Sequence, residues 1–344
     1  MGTSPLKIRP SIPLDLGWIP YWNLRPMGIE LKKLAGNDIT FHSGSPALVN
    51  RMLSEGKVRV AACSSVCLLK NKTHQLAYPL GVSSTGPVKS VYIGFHHGQA
   101  ELLETIKKRH KIISDIFQTT IKYCGHDIRK SADMIWNQCA KLPPLDIDTP
   151  EIIMTPASAA SATFTRILMR LWFGEPAIEI SPKADHLDSN SGSMSSSRPL
   201  ELLIGDEALI RRKSFVSIID LGDAWTTLSN LPFVFAVWQN AGKTMSPYWG
   251  KMIGEAASRA QTKMRVDPMP YYPENDPKDI TGHAIDLGAY WKHINYKLGP
   301  SHFHGLTLFL ALARNLNPAI IGETAMMQVL KCQELAQPSL YSSQ

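Results

Sequence analysis

Two short apolar runs, each introduced by a proline, most constrain what this chain can fold into. One run, at residues 86–94, reads GPVKSVYIG, and the other, at residues 231–238, reads LPFVFAVW. Both are rich in β-branched and aromatic residues, which is typical of buried strands. Because they lie far apart in the chain, we interpret them as the two crossing strands of a hinged, two-lobed α/β protein. The loops that enter these strands would line a ligand cleft between the lobes, which makes Ser90 the first candidate residue.

Two β-α-β patterns support the α/β assignment. They occupy residues 39–62 and residues 152–204, and in each an apolar helical stripe separates two short apolar strands. Ser45 and Thr155 are the predicted N-caps of the two helices, and Gly174 is the predicted end of the second. Such units favour parallel pairing of the strands that flank the helix.

The charge balance favours an anionic partner. The chain has 344 residues, with 36 Lys and Arg against 29 Asp and Glu, and a net charge of +7. A nucleic-acid surface usually clusters its charge, but the basic residues are dispersed apart from residues 107–111, so we favour a small acid over nucleic acid.

No run approaches the ~18 apolar residues of a membrane span. Residues 1–16 lack the apolar core of a secretory signal, and five cysteines without a CxxC pair indicate reduced thiols. We therefore expect a cytoplasmic protein that contacts neither nucleic acid nor membrane.

The chain divides into two lobes in this interpretation. Lobe 1 is discontinuous and comprises residues 1–96 and 236–344, and lobe 2 comprises residues 97–235. Lobe 2 contains a helical insertion at about 98–148 and a serine-rich loop at 188–198. The insertion fits an inserted surface hairpin better than an oligomerisation arm, although the arm of a homodimer stays open.

The strongest site that the residues alone indicate is the run TPASAAS at residues 155–161. Small residues there follow a strand and open a helix. Backbone N–H groups and hydroxyls at such a turn suit a carboxylate or a phosphate. An ordinary N-cap packed closely on the sheet explains the same residues equally well.

Other motifs are weaker indications of a catalytic, metal or cofactor site. Asp206 fits a helix N-cap better than one half of an acidic pair with Glu207. The histidines at 96–97 and 302–304 lack a third ligand at a suitable spacing, so we expect no metal. No glycine-rich nucleotide motif is present, so no cofactor is indicated. Asn23 fits either a turn former or a polar cleft residue, and the residues alone leave both open.

Several stretches of the chain together resemble one family. They lie at residues 21–26 (YWNLRP), 46–56 (PALVNRMLSEG), 86–91 (GPVKSV), 204–209 (IGDEAL), 220–225 (DLGDAW), 231–238 and 290–300. With these motifs in the expected order over most of its length, the chain resembles chorismate dehydratase of the futalosine route to menaquinone. The resemblance implies the fold of type 2 periplasmic solute-binding proteins and a cytosolic carbon–oxygen lyase without cofactor or metal.

The resemblance also implies a reaction and a set of site residues. The reaction removes water from chorismate, a small anionic substrate, to give 3-[(1-carboxyvinyl)oxy]benzoate. The implied catalytic residues are Asn23 and Ser90, and the implied substrate-binding residues are Ser65, Ser158, Ala159 and Ser161. Two positions depart from the common pattern, Ala160 in place of a threonine and Cys67 in place of an acidic residue. The alternative function is a non-catalytic cytosolic binding protein or sensor for a small aromatic carboxylic acid.

Overall fold

The computed structural model describes residues 13–71, 73–125, 127–181, 198–242 and 245–316. The strands are β1 (Leu14–Trp18), β2 (Ile39–Ser43), β3 (Val60–Ser64), β4 (His74–Ser84), β5 (Val91–Phe95), β6 (Glu151–Ile153), β7 (Ile178–Ile180), β8 (Leu200–Ile204), β9 (Ser217–Asp220), β10 (Phe233–Ala241) and β11 (Asn295–Lys297). The helices are α1 (Arg25–Ala35), α2 (Pro46–Ser54), α3 (Cys67–Lys70), α4 (Ala100–Cys124), α5 (Ile128–Cys139), α6 (Ala159–Phe173), α7 (Gly205–Arg211), α8 (Leu221–Ser229), α9 (Pro247–Val266), α10 (Leu287–Trp291) and α11 (Pro300–Leu316). None of the helices in these ranges is both long and apolar enough to span a membrane.

The first lobe is built on a six-stranded mixed sheet in the order β11-β4-β10-β3-β1-β2. β1 pairs in parallel with both β2 and β3, whereas β10 runs antiparallel to β3 and β4. The predicted parallel β-α-β unit is confirmed. Its strands β2 and β3 flank α2 in the chain, and both run parallel to β1, which lies between them in the sheet. Its helix α2 begins as predicted, because Ser45 Oγ accepts a hydrogen bond from the Leu48 N–H.

The second lobe is built on a five-stranded sheet in the order β7-β6-β8-β5-β9. β6 and β8 are parallel, as predicted, and α6 lies between them in the chain. Gly174 ends α6 in the left-handed region, with φ of 75°. The predicted N-cap Thr155 is wrong, because α6 begins later, after Ser158. Thr155 Oγ1 instead accepts a hydrogen bond from the Ala157 N–H and closes a turn that precedes the helix.

The two crossings between the sheets lie at the starts of the two proline-led runs. Among the described strands, β5 pairs only with strands of the second sheet, and β10 pairs only with strands of the first. The chain therefore crosses at residues 85–90 and again at 230–232, in connecting segments and not within the strands. The predicted boundary at residue 96 would assign β5 to the first lobe, so we propose the two connecting segments as the boundaries instead.

Two helices fill most of the predicted insertion. α4 packs on α5 and α8, and α5 packs on α11. The stripe of Leu103, Ile106, Ile113 and Phe117 is buried along α4, which accounts for its helical periodicity. In the predicted serine-rich loop, residues 188–197 lie outside the described residues.

Aromatic packing joins the two lobes. Phe164 of α6 stacks on Phe233 of β10 with ring centroids 5.0 Å apart, and Trp225 of α8 lies 5.4 Å from Phe233. Phe309 of α11 contacts the same ring at 4.9 Å. All four side chains are buried and come from elements of both lobes, so the cluster joins the lobes through apolar contacts.

Candidate functional site

A cavity lies between the two sheets, and its wall includes Val88 and Ser90 of the first crossing segment and Phe235 and Ala236 of β10. Its lining is mostly aliphatic, and its polar side chains are Tyr21, Asn23, Ser64, Ser90, Ser158 and Ser161. Among the described residues that line it, none carries a charged side chain. An anionic ligand in this cavity would therefore be held by hydroxyl, amide and backbone N–H groups. Few polar groups in an apolar wall are typical of small-molecule sites.

Ser90 lies at the end of the first crossing segment, one residue before β5. It is 1% exposed, and its Oγ accepts a hydrogen bond of 3.0 Å from the Tyr290 hydroxyl. Its backbone carbonyl accepts a hydrogen bond of 2.7 Å from the Gly205 N–H at the start of α7. Contacts with α10 and α7 therefore hold both the side chain and the backbone of Ser90 in place.

The segment before Ser90 is held by the N-terminus of α8. Asp220 Oδ1 accepts a hydrogen bond from the Val88 N–H and Oδ2 accepts one from the Lys89 N–H. The same carboxylate caps α8 by accepting from the N–H groups of Gly222 and Asp223. Burial raises the pKa of Asp220, and these backbone hydrogen bonds oppose that effect.

Asn23 comes from the connection between β1 and α1 in the first lobe. Its backbone carbonyl accepts a hydrogen bond of 2.7 Å from the Tyr296 hydroxyl. Its side-chain Oδ1 is buried and has no hydrogen-bond partner in the part of the chain that the structure describes. A buried amide oxygen without a partner is costly, and its position on the cavity wall suits a donor group on a ligand.

The start of α6 supplies the hydroxyls of the opposite wall. Ser158 Oγ accepts a hydrogen bond from the Ser161 N–H, and the two serine hydroxyls lie 3.0 Å apart. The Ala160 N–H donates a hydrogen bond of 2.7 Å to Ser64 Oγ at the end of β3. Two N–H groups that the sequence assigned to a ligand are therefore already paired within the protein. The Ser64 contact also links the two lobes across the cavity.

The structure brings four of the six predicted site residues to one cavity. Asn23, Ser90, Ser158 and Ser161 all line it, whereas Ser65 and Ala159 do not. Ser64 lines the wall in place of Ser65, because successive residues at a strand end point to opposite sides. The Ser65 N–H donates to the Phe235 carbonyl, and its Oγ is buried without a partner.

Asp206 does not cap its own helix, so the predicted N-cap is wrong. Its Oδ1 accepts a hydrogen bond of 2.9 Å from the Trp22 N–H, across the gap between the lobes. α7 instead has Ile204 at the N-cap position, with no side-chain cap. Burial raises the pKa of Asp206 to about 6, and the hydrogen bond from Trp22 partly opposes this.

The histidines at which we expected no metal contact other protein groups, and Cys67 is a buried free thiol. His96 Nε2 contacts Glu201 Oε1 at 3.1 Å, and His302 Nδ1 accepts from the Gly299 N–H. No group of three metal-ligating side chains occurs within the described ranges. Burial raises the pKa of the Cys67 thiol to about 11, which opposes nucleophilic use of this residue.

Sequence reasoning assigned no role to Ser64, Tyr290 or Asp220. Ser64 could have been found from the alternation of residues along β3. Asp220 lies in the DLGDAW stretch and Tyr290 opens the stretch at 290–300, so both belong to the resemblance. Their contacts with Ser90 and its segment join residues more than a hundred positions apart, which local patterns do not reveal.

The fold and the sequence both have relatives. The fold is similar to that of a Candida albicans protein described as having the generic periplasmic binding protein fold (TM-score 0.52, 9% identity, 93% of this chain and 95% of that chain). It is similar to the alkanesulfonate-binding protein of Xanthomonas axonopodis pv. citri bound to MOPS (TM-score 0.52, 10% identity, 92% and 96%). It is also similar to an ABC transporter protein from Parabacteroides distasonis (TM-score 0.51, 13% identity, 91% and 95%). These likenesses confirm the predicted two-lobed periplasmic-binding-protein fold.

The sequence comparison is more specific than the fold. No curated protein matches the chain in sequence. A family model described as menaquinone biosynthesis matches residues 14–120 and 137–315. These ranges include both crossing segments and every side chain named in the cavity wall. Because the match covers most of its length, the chain belongs to the menaquinone biosynthesis family.

Proposed function

We propose that the chain is a chorismate dehydratase, which removes water from chorismate to give 3-[(1-carboxyvinyl)oxy]benzoate. One observation carries the proposal: Asn23 of the first lobe and Ser90 of the first crossing segment, the two residues that the resemblance implies are catalytic, line the same cavity. The family match supports a role in menaquinone biosynthesis. The uncharged, largely apolar wall supports a ligand that is mainly a carbon ring with a few polar groups.

The elimination has a kinetic difficulty and a thermodynamic advantage. A proton leaves C3, its bonding electrons enter the ring, and the C4–oxygen bond breaks so that hydroxide departs. The hydroxide and the proton together make water, and the ring becomes aromatic. Because negative charge developing at C3 spreads through the diene onto the ring carboxylate, hydrogen-bond donors at that carboxylate would lower the barrier. We assign this role to Ser158 and Ser161 at the start of α6, with Ser64 beside them.

The base is the less obvious component. Among the described residues that line the cavity there is no carboxylate or imidazole that could take the proton. The enolpyruvyl carboxylate of the substrate can act as the base if the cavity holds it against C3, which is a proximity effect. Asn23 and Ser90 would then position that side chain or assist departure of the C4 hydroxyl. Closure of the lobes around the cavity would exclude water during the reaction.

The test is incubation of the purified protein with chorismate, without added metal or nucleotide. Products are followed by ultraviolet absorbance and mass. We expect rapid formation of a species lighter than chorismate by one water, with an aromatic absorbance. Unchanged chorismate with saturable binding would overturn the dehydratase and favour a sensor of a small aromatic acid. Neither reaction nor binding would mean that this cavity takes a different ligand.

A further inference from the structure

Tyr290 makes a hydrogen bond to Ser90, the proposed catalytic serine, and the proposed reaction does not use this hydrogen bond. Its hydroxyl donates to Ser90 Oγ at 3.0 Å. Tyr290 is 2% exposed and Ser90 is 1% exposed, so water does not compete for this bond. The tyrosine comes from α10 and the serine precedes β5, so the contact joins two elements that are 200 residues apart in the chain.

We infer that Tyr290 is a positioning residue that fixes Ser90 as a hydrogen-bond donor to the substrate; this rests on the proposed function. A serine hydroxyl has one hydrogen to donate and two lone pairs that accept. A phenol is more acidic than an alkyl hydroxyl, so the tyrosine is the better donor of the pair. With one lone pair of Ser90 taken by Tyr290, the serine hydrogen is directed away from the tyrosine. Ser90 lines the cavity, whereas Tyr290 does not.

The environment keeps Tyr290 in its donor form. Burial raises the pKa of its phenol well above the ordinary value. The hydrogen bond with Ser90 opposes this rise, and the nearby Asp206 and Asp220 add to it. The phenol is therefore protonated at every pH at which the protein would work. Donation by the phenol also polarises the serine hydroxyl and strengthens the bond that Ser90 donates in turn.

The segment that carries Tyr290 also fixes the other proposed catalytic residue. The neighbouring Trp291 donates its indole N–H to the Trp22 carbonyl at 2.8 Å, and the Tyr296 hydroxyl donates to the Asn23 carbonyl at 2.7 Å. Residues 290–296 thus hold Ser90 by its side chain and Asn23 by its backbone. This explains why the stretch at 290–300 forms part of the resemblance although none of its side chains lines the cavity.

The chemical consequence concerns the C4 hydroxyl that departs. Its oxygen gains negative charge as the C4–oxygen bond breaks, and a hydrogen bond donated by Ser90 would stabilise that charge. Tyr290 needs to transfer no proton for this effect. Removal of its hydroxyl would let the Ser90 hydroxyl rotate and weaken the donated bond. The loss should fall on turnover and spare substrate binding.

The experiment measures kcat and KM for chorismate in Tyr290→Phe, with Tyr92→Phe as the matched control. Tyr92 is also fully buried, and its hydroxyl donates to the Ala208 carbonyl away from the cavity. We expect kcat of Tyr290→Phe to fall about tenfold with KM nearly unchanged, since one indirect donor should matter less than a direct one. The control should retain both constants, and thermal unfolding should show that both variants fold.

A double-mutant cycle with Ser90→Ala separates positioning from a structural role. If Tyr290 acts through Ser90, Tyr290→Phe should have no further effect on kcat in the Ser90→Ala background. Equal, additive losses in both backgrounds, or an unchanged kcat in the single variant, would overturn the inference while leaving the dehydratase intact. A wild-type protein that neither converts nor binds chorismate would overturn the proposed function, and the inference with it.

Discussion

The backbone N–H of Lys89 donates a hydrogen bond of 2.6 Å to Asp220 Oδ2, and this contact attaches the segment before Ser90 to the start of α8. Lys89 has φ of 66°, in the left-handed region that residues with a Cβ rarely adopt. Such a conformation costs about 1 kcal/mol or more and persists only where neighbours impose it. The position of Ser90 therefore depends on the Asp220 carboxylate.

Asp220→Asn should loosen this segment and lower turnover. An amide offers one acceptor atom where the carboxylate offers two, so the N–H of Lys89 or Val88 loses its partner. We expect the free energy of unfolding to fall by about 2 kcal/mol and kcat to fall with it, because Ser90 is displaced. Chemical denaturation and chorismate turnover measure the two effects. Asp223→Asn, in the exposed first turn of the same helix, is the control and should leave both near wild type.

Gly222→Ala tests how closely α8 approaches the same segment. A Cβ at position 222 would lie 2.5 Å from Ser84 Oγ and 2.6 Å from the Gly86 carbonyl oxygen. The backbone would have to shift, so we expect the free energy of unfolding to fall by about 2 kcal/mol. Gly254→Ala in α9 meets nothing within 4 Å, and it should gain up to about 1 kcal/mol from helix propensity. Equal effects of the two substitutions would contradict the close approach.

Ser90→Ala should reduce turnover far more than binding. Loss of a direct hydrogen-bond donor in an enclosed site typically costs about a hundredfold to a thousandfold in kcat. The matched control is Ser131→Ala, since Ser131 of α5 is equally buried but donates to the carbonyl of Asp127, the N-cap residue of that helix. Steady-state turnover and calorimetric binding of chorismate distinguish the two. An unchanged kcat would remove Ser90 from the chemistry.

Local chemistry was predictable from the sequence, and contacts between distant segments were not. Ser45 caps α2 as expected because its partner lies three residues away. The sequence predicted a local role for Asp206 too, as a helix N-cap. In the structure its carboxylate accepts a hydrogen bond from the Trp22 N–H, 184 residues away in the chain. The choice between them depends on how the lobes approach each other, which no short pattern encodes.

The same distinction explains the errors at the site. The strands β5 and β10 follow from the density of β-branched and aromatic residues, but the residue at which a strand ends does not. One position separates Ser64 from Ser65, and this decides which hydroxyl faces the cavity. The prediction of Thr155 as an N-cap failed by three residues because Thr155 and Ser158 are both good capping residues. At the true start of α6, the local cap on Ser158 is accompanied by a tertiary hydrogen bond from the Ala160 N–H to Ser64 Oγ, which the sequence pattern does not reveal.

Asp206, which contacts Trp22 across the gap between the lobes, should make the free energy of unfolding depend on pH. The pKa of this carboxyl is about 6 in the folded chain because it is buried, and it would be near 3.8 in the unfolded chain. Protonation between these values favours the folded state, so this stabilisation is complete below about pH 4 and is lost as pH rises through about 6. The difference corresponds to about 2 kcal/mol after partial solvent screening.

Asp206→Asn should abolish that dependence, since its amide oxygen can still accept from the Trp22 N–H. Denaturation of both proteins from about pH 4 to about pH 7 measures it. The stability of the wild type relative to the variant should rise as pH falls. Charged and titratable neighbours, Tyr21, Glu207 and Tyr290, are unchanged in both proteins and cancel in the comparison. A constant difference would show that Asp206 titrates normally.

Asn23→Leu should separate function from stability. Asn23 Oδ1 is buried without a partner, so replacement by an apolar side chain of similar size should raise the free energy of unfolding by about 1 kcal/mol. The backbone can accept leucine, because Lys89 and Asn230 are the non-glycine residues with positive φ in the described ranges. The hydrogen bond from Tyr296 goes to the Asn23 carbonyl and is retained. Turnover of chorismate should be lost.

Asn50→Leu is the matched control for this prediction. Asn50 also has a buried, unpartnered Oδ1, but it lies in α2 outside the cavity wall. It should gain similar stability and keep its turnover, as measured by denaturation and by the chorismate assay. If Asn23 were only a turn former, Asn23→Leu would lose stability and keep turnover. Polar groups left unpaired for a ligand are one way in which active sites lower the stability of a fold, and the pair of variants would show this cost at a single residue.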